Sequence, residues 1–197
     1  MSQPRIAPAT GPMARFSVFV ARRQYGPEMA ESAAIYARHP RLTRWFVLFN
    51  RAVEKPGVVP HRLRELAVLK AATIVECEFC IDIGSDFARR AGLSDAQLLA
   101  LHDPEPSGLF SADELAVIAF ARGISATPAR VDDATAGAIR DRFGERGLIE
   151  LTHLLAWENF RARLNVGLDV GPGGFSEGKA CALPASAASE PAAATVA

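Results

Sequence analysis

Residues 61–90 read HRLRELAVLKAATIVECEFCIDIGSDFARR, and the way this stretch divides decides the fold. Leu63, Leu66, Ala67, Leu69 and Lys70 belong to one helix, which continues towards Ile74. The β-branched run Thr73-Ile74-Val75 is where that helix is expected to end. A second helix then carries Cys77 and Cys80 to Arg90, with Gly92 as its stop. In one unbroken helix Glu65 would lie roughly 18 Å along the axis from Cys77 and about 120° around it. A break instead puts Cys77 at a helix N-terminus, where free N–H groups and the dipole stabilise a thiolate. It also lets Glu65 fold back to accept a thiol proton, directly or through water.

Three apart on a helix, Cys77 and Cys80 share a face, with β-carbons about 5–6 Å apart in ideal geometry. That is slightly too far for a disulfide, and a modest adjustment in the first turn closes the gap. The pair reads as redox-active, as half of a zinc site, or as inert core cysteines. Zinc needs four ligands, yet no second C-x-x-C and no H-x-x-x-H is present, and Cys181 with a histidine would be an improvised set. Taken alone, Glu65 reads as a solvated helix residue paired with Arg62 or Lys70, and His153 as a satisfied core histidine. Trp45, Trp157 and the phenylalanines read as core or subunit contacts.

Outward from this stretch the pattern stays helical. Towards the N-terminus, Phe16, Phe19 and Val20 mark a helix from Met13 that Gly26-Pro27 breaks. Pro27 opens a second helix through Tyr36, and a third bears Leu42, Trp45, Phe46 and Phe49 before Lys55-Pro56-Gly57. Towards the C-terminus, Ser94 with Gln97 and Ser111 with Glu114 match capping boxes. Asp132 and Asp133 start a helix ending near Gly144, and residues 146–166 form the longest helix of this half. No alternating β-branched strand is found, so the fold expected is all-α. Residues 1–12 are expected as a flexible arm, 13–182 as one domain, and 183–197, rich in Ala and Pro, as a disordered tail.

With 49% apolar side chains among 197 residues, one sizeable core can be buried. The 22 basic and 22 acidic side chains balance, which leaves no polyelectrolyte signature for nucleic acid or an anionic membrane. No export signal is evident, and the run Trp45-Phe46-Val47-Leu48-Phe49 is too short to cross a bilayer. A cytoplasmic location is expected, where a C-x-x-C is read as redox or metal chemistry rather than as a structural disulfide.

Glu65, eleven intervening residues, Cys77, two more and Cys80 resemble the active-site motif of the carboxymuconolactone decarboxylase and alkylhydroperoxidase D superfamily, in its cysteine-containing branch. The context is similar too: RELAVLKAA before the pair, CEFCIDIGS across it, Gly92-Leu93-Ser94 after it, then AWENFRARLN and GGFSEG. The resemblance covers roughly residues 40–180. It implies an all-α AhpD-like bundle in a homo-oligomer (dimer, trimer or hexamer) and a thiol peroxidase or disulfide reductase cycle. Cys80 would attack the hydroperoxide, Cys77 would resolve the sulfenic acid as a disulfide, and Glu65 would handle protons. Electrons would come from a lipoyl or other dithiol reductant, with no bound cofactor and no metal. The motif's histidine, four after the second cysteine, is Gly84 here. Ser85, Asp82 or His153 are the candidates to replace its proton relay. Two other readings stand beside this one: lactone decarboxylation, which needs no thiol pair, and a non-catalytic redox-sensing or zinc-binding helical module.

Overall fold

The computed structural model describes residues 4–182, and every regular element among them is helical. In order these are α1 (Pro12–Tyr25), a single 3-10 turn (Pro27–Met29), α2 (Ala30–Tyr36), α3 (Pro40–Val53), α4 (His61–Val75), α5 (Glu78–Arg90), α6 (Asp95–Ala100), α7 (Ala112–Ser125) and α8 (Asp133–Leu168). Proline opens α1 and α3 within their first turn, where its missing N–H costs nothing. Both capping boxes form: Gln97 N donates to Ser94 Oγ at 3.2 Å and Glu114 N to Ser111 Oγ at 3.3 Å. The two helices expected around Gly144 appear as one span, α8, kinked at that glycine, whose φ is 70°.

Helix α4 is the axis of the bundle. Leu66, Ala67, Leu69, Ala71 and Ala72 are all fully buried, and α5, α7 and α8 pack around them. A helix with buried apolar residues on several sides belongs in the middle of a fold. Its polar members are satisfied within the protein. Lys70 Nζ donates to Leu101 O at 2.8 Å, and burial pulls that ammonium below its ordinary pKa. The Arg64 guanidinium donates to Lys55 O and Val53 O, both at 2.7 Å, which fixes the end of α3 against α4. Trp157 is buried and donates to Asn50 Oδ1 at 2.8 Å, whereas Trp45 is exposed.

The α4–α5 break falls at Glu76, one residue beyond the expected run, in left-handed conformation (φ 57°). Helix α5 closes in a Schellman pattern, Leu93 N to Ala88 O at 3.0 Å and Gly92 N to Arg89 O at 2.9 Å. Residues 4–11, expected as part of a loose arm, lie along the body: Arg5 N donates to Leu168 O and Ala9 N to Ala34 O, both at 3.0 Å. The expected tail, 183–197, lies outside the described residues. No helix among the described residues is long and apolar enough to cross a membrane.

Candidate active site

Cys77 is the N-cap of α5, and its sulfur accepts from Cys80 N at 3.2 Å. Ending α4 at Glu76 creates this cap, so the thiols sit at the positive end of a thirteen-residue helix. The two cysteines form a disulfide, with Cα atoms 5.2 Å apart. Both are nearly sealed, Cys77 at 1% exposure and Cys80 at 6%. They differ in outlook: Cys80 lines a cavity of about 1100 Å³ and Cys77 does not. On the cavity side Asn165 Nδ2 donates to Cys80 Sγ at 3.4 Å, and the Tyr36 hydroxyl in turn donates to Asn165 Oδ1.

Glu65 lines the same cavity. Neither Arg62 nor Lys70 pairs with it: Arg62 donates to Glu114 at 2.9 Å and to Gln97 at 3.0 Å, and Lys70 serves Leu101. Its ionic neighbour is the exposed His61, 3.5 Å away. Burial pushes the Glu65 carboxyl above the usual carboxylate range, against the pull of His61 and Arg161. Uncharged and charged forms therefore lie closer in energy near neutrality than for a surface glutamate.

Around Glu65 lies a polar cluster built from four helices. Arg161 of α8 donates to Glu158 at 2.9 Å, to Asn50 at 3.0 Å and to Glu54 at 3.2 Å. Tyr25 of α1 donates to Glu54 Oε2 at 3.0 Å. Burial pushes Glu158 up, and its paired contact with Arg161 offsets part of that rise. Tyr25 is pushed far up, first by burial and then by Glu54, so it stays a donor. One guanidinium thus faces three carboxylates, an arrangement suited to holding and passing a proton.

The three sequence candidates for replacing the family histidine do not fill that place. Asp82 accepts backbone N–H bonds from Gly174 at 2.8 Å, Phe175 at 3.1 Å and Ser176 at 2.7 Å, anchoring the C-terminal strap across α5. Ser85 accepts from Ala182 N at 3.1 Å and sits 3.4 Å from Cys181 Sγ, beneath the same strap. His153 is exposed, not a core residue, with its ring on Ile149 O at 2.9 Å. Gly84 does line the cavity, but a β-carbon there would sit 3.2 Å from Leu69 Cδ1, because α5 approaches α4 closely at this point. Sequence reasoning missed Glu54, Glu158, Arg161, Asn165, Tyr25 and Tyr36. One signal was available: Glu158, Arg161 and Asn165, within AWENFRARLN, repeat at three-and-four spacing on one helix face.

An all-α bundle that caps one helix with a C-x-x-C disulfide, beside an acid-lined cavity, defines a helical dithiol protein. The chain belongs to the carboxymuconolactone decarboxylase family, which residues 40–123 match. It is 35% identical to the uncharacterized protein YnjA of Escherichia coli (strain K12) over 151 residues, 76% of this chain and 82% of that one. It is 24% identical to the uncharacterized protein YdfG of Bacillus subtilis (strain 168) over 115 residues, 58% of this chain and 78% of that one. Its fold is similar to that of the debrominase Bmp8, with TM-score 0.71 at 18% identity over 85% of this chain and 91% of that one. A variant of that enzyme has been solved in complex with 2,3,4-tribromopyrrole. A protein of unknown function from Agrobacterium tumefaciens, proposed to be the antioxidant defence protein AhpD, aligns with TM-score 0.63 at 23% identity over 70% of this chain and 94% of that one.

Proposed function

We propose that the protein is a thiol-dependent oxidoreductase that reduces hydroperoxides, or a disulfide, through Cys77 and Cys80. The Cys80 thiolate attacks one peroxide oxygen; the S–O bond forms as the O–O bond breaks. The departing alkoxide takes a proton from the Glu65 carboxyl and leaves as the alcohol. Cys77 then attacks the Cys80 sulfenic sulfur, hydroxide leaves as water with one proton, and the disulfide closes. A dithiol carrier of lipoyl type returns two electrons and two protons. A homo-oligomer belongs to the same reading, supported by the exposed apolar side chains of Phe19, Leu42 and Phe160.

The observation that carries this is the shared cavity: Cys80, joined to Cys77, opens on the space that Glu65 lines, and burial holds the Glu65 carboxyl up. The test treats reduced protein with one equivalent of an organic hydroperoxide and maps the cysteines by mass spectrometry. A Cys77–Cys80 disulfide forming within seconds, and peroxide consumption lost in Cys80→Ser, are expected. Free thiols that persist, or turnover unchanged in that variant, would end the proposal. An aryl bromide is the second substrate class, favoured by the cavity's aromatic wall of Phe46, Phe79 and Phe87 and by the debrominase likeness. There Cys80 would take the bromine, the aryl carbanion a proton, and Cys77 would displace bromide. Bromide release from 2,3,4-tribromopyrrole by reduced protein tests it, and no release removes it.

A further inference from the structure

Hydrogen peroxide is little larger than water, whose share of liquid volume is about 30 Å³. The cavity over Cys80 is about 1100 Å³. Small-molecule sites run from about 300 to 1,000 Å³, so this open cleft has room for a large organic body. Its wall is apolar, with Phe16 and Val20 from α1, Trp45 and Phe46 from α3, and Ile83 and Phe87 from α5.

The cavity's carboxylates lie deep among paired cations, and, among the described residues, its unpartnered arginines lie at the surface. Glu54, Glu65 and Glu158 lie with Arg161 in the part-buried cluster. Arg41, Arg44 and Arg51 also line the cavity, yet they are exposed, and among the described residues none has a carboxylate partner. Arg44 and Arg51, seven apart, share one face of α3, with Arg41 one turn earlier. The field around them has the same sign: residues 1–55 hold nine Lys and Arg against three Asp and Glu. An anion entering this space meets the unpartnered arginines of its exposed side before the paired, part-buried cluster deeper in.

We infer that the cavity takes an amphipathic monocarboxylate, with a long apolar body lying along the α1–α3–α5 wall and its carboxylate on Arg41, Arg44 and Arg51. The oxidised form of such a ligand is a fatty-acid hydroperoxide, whose –OOH group, partway along the chain, meets Cys80 while its carboxylate stays at the mouth. Only the reduction step, balanced as written above, rests on the dithiol reading; the binding geometry stands on the cavity itself.

Calorimetry on the full chain with decanoate, and with decanol as its neutral counterpart, tests the binding. Decanoate is expected to bind at least tenfold more tightly than decanol. The combined Arg41→Gln, Arg44→Gln, Arg51→Gln variant, with wild-type circular dichroism, is expected to lose that preference. Equal affinities, or a preference that survives the variant, would overturn the inference. So would binding to phosphatidylglycerol vesicles without decanoate binding, which would make the face a membrane surface. Exclusion of decanoate as the chain self-associates would assign the space to a second copy. In turnover, linoleic acid 13-hydroperoxide is expected to exceed hydrogen peroxide in kcat/KM by a hundredfold or more; parity would overturn the inference. Arginine-dependent decanoate binding with no hydroperoxide turnover would keep the ligand class and refute the peroxidase reading alone.

Discussion

Replacing Arg161 with methionine keeps most of the side-chain volume and removes the one guanidinium among three carboxylates. The cost follows from which partners are left exposed to water. Asn50 Oδ1 keeps its bond from Trp157, and Glu54, about a third exposed, keeps its bond from Tyr25. Glu158, at 2% exposure, loses its ionic partner and both N–H donors that reach Oε2. Breaking a buried pair from one side costs about 3–5 kcal/mol, and with the loss confined to one carboxylate we expect the lower end, about 3 kcal/mol at pH 7.5. With an m-value near 2 kcal/mol/M, the urea midpoint should fall by about 1.5 M, read by far-UV circular dichroism. The pH dependence has a definite sign. Burial raises Glu158 above its unfolded value, so its charge destabilises the fold. That penalty is absent below the ordinary carboxylate range and accumulates as pH rises through the folded pKa. Arg161→Met pushes this carboxyl further up, so the variant's deficit should be widest at pH 7.5 and shrink by pH 5. Adding Glu158→Gln should recover at least half of it. A deficit below 1 kcal/mol, or one that grows towards acid pH, would show that Arg161 is not the counter-ion of a buried charge.

The same sign logic applies to Glu65, which burial also raises. Glu65→Gln should raise the urea midpoint at pH 8, lose that advantage near pH 4, and slow peroxide reduction at least a hundredfold; a midpoint lowered at pH 8 contradicts the burial argument. Asp82→Ala removes the acceptor of three backbone N–H bonds and should cost about 3 kcal/mol. The strap it anchors should loosen, so iodoacetamide should alkylate Cys181 at least tenfold faster, and an unchanged rate would mean that other contacts hold the strap. Asn165→Leu takes the side-chain donor from Cys80 Sγ. It should slow thiol oxidation by hydroperoxide roughly tenfold at pH 7, about the worth of one hydrogen bond to a charged group. Stopped-flow rates equal to wild type would leave Asn165 without that role.

Local grammar was legible from the residues. Serine three before glutamine or glutamate and glycine after Arg90 each act within one turn of helix, and each formed as read, whereas Pro27 opens a 3-10 turn and α2 starts only at Ala30. The position of Cys77 was legible for the same reason, since a β-branched run before a C-x-x-C is a local event. Errors arose where a side chain's partner lies far along the chain. His153 was read as core, yet its helix face turns outward. Asp82 and Ser85, next to the motif, face the strap of residues 171–182 on the side of α5 away from the cavity.

By itself, then, the sequence determined an all-α chain, a helix break at the cysteine pair and the place of a glutamate twelve residues before the first cysteine. These follow from periodicity, capping and φ preferences, which act over three to five residues. Tertiary structure alone decided what surrounds that glutamate. Tyr25, Asn50, Glu54, Glu158 and Arg161 are ordinary surface residue types in sequence, and up to 136 positions separate Tyr25 from Arg161. Only the packing of α8 on α4 and of α3 on α8, with Tyr25 of α1 bonded to Glu54, withdraws them from water together. Desolvation depends on everything within several ångströms, whatever its place in the chain, and that is why the cluster's chemistry appears only in the folded molecule.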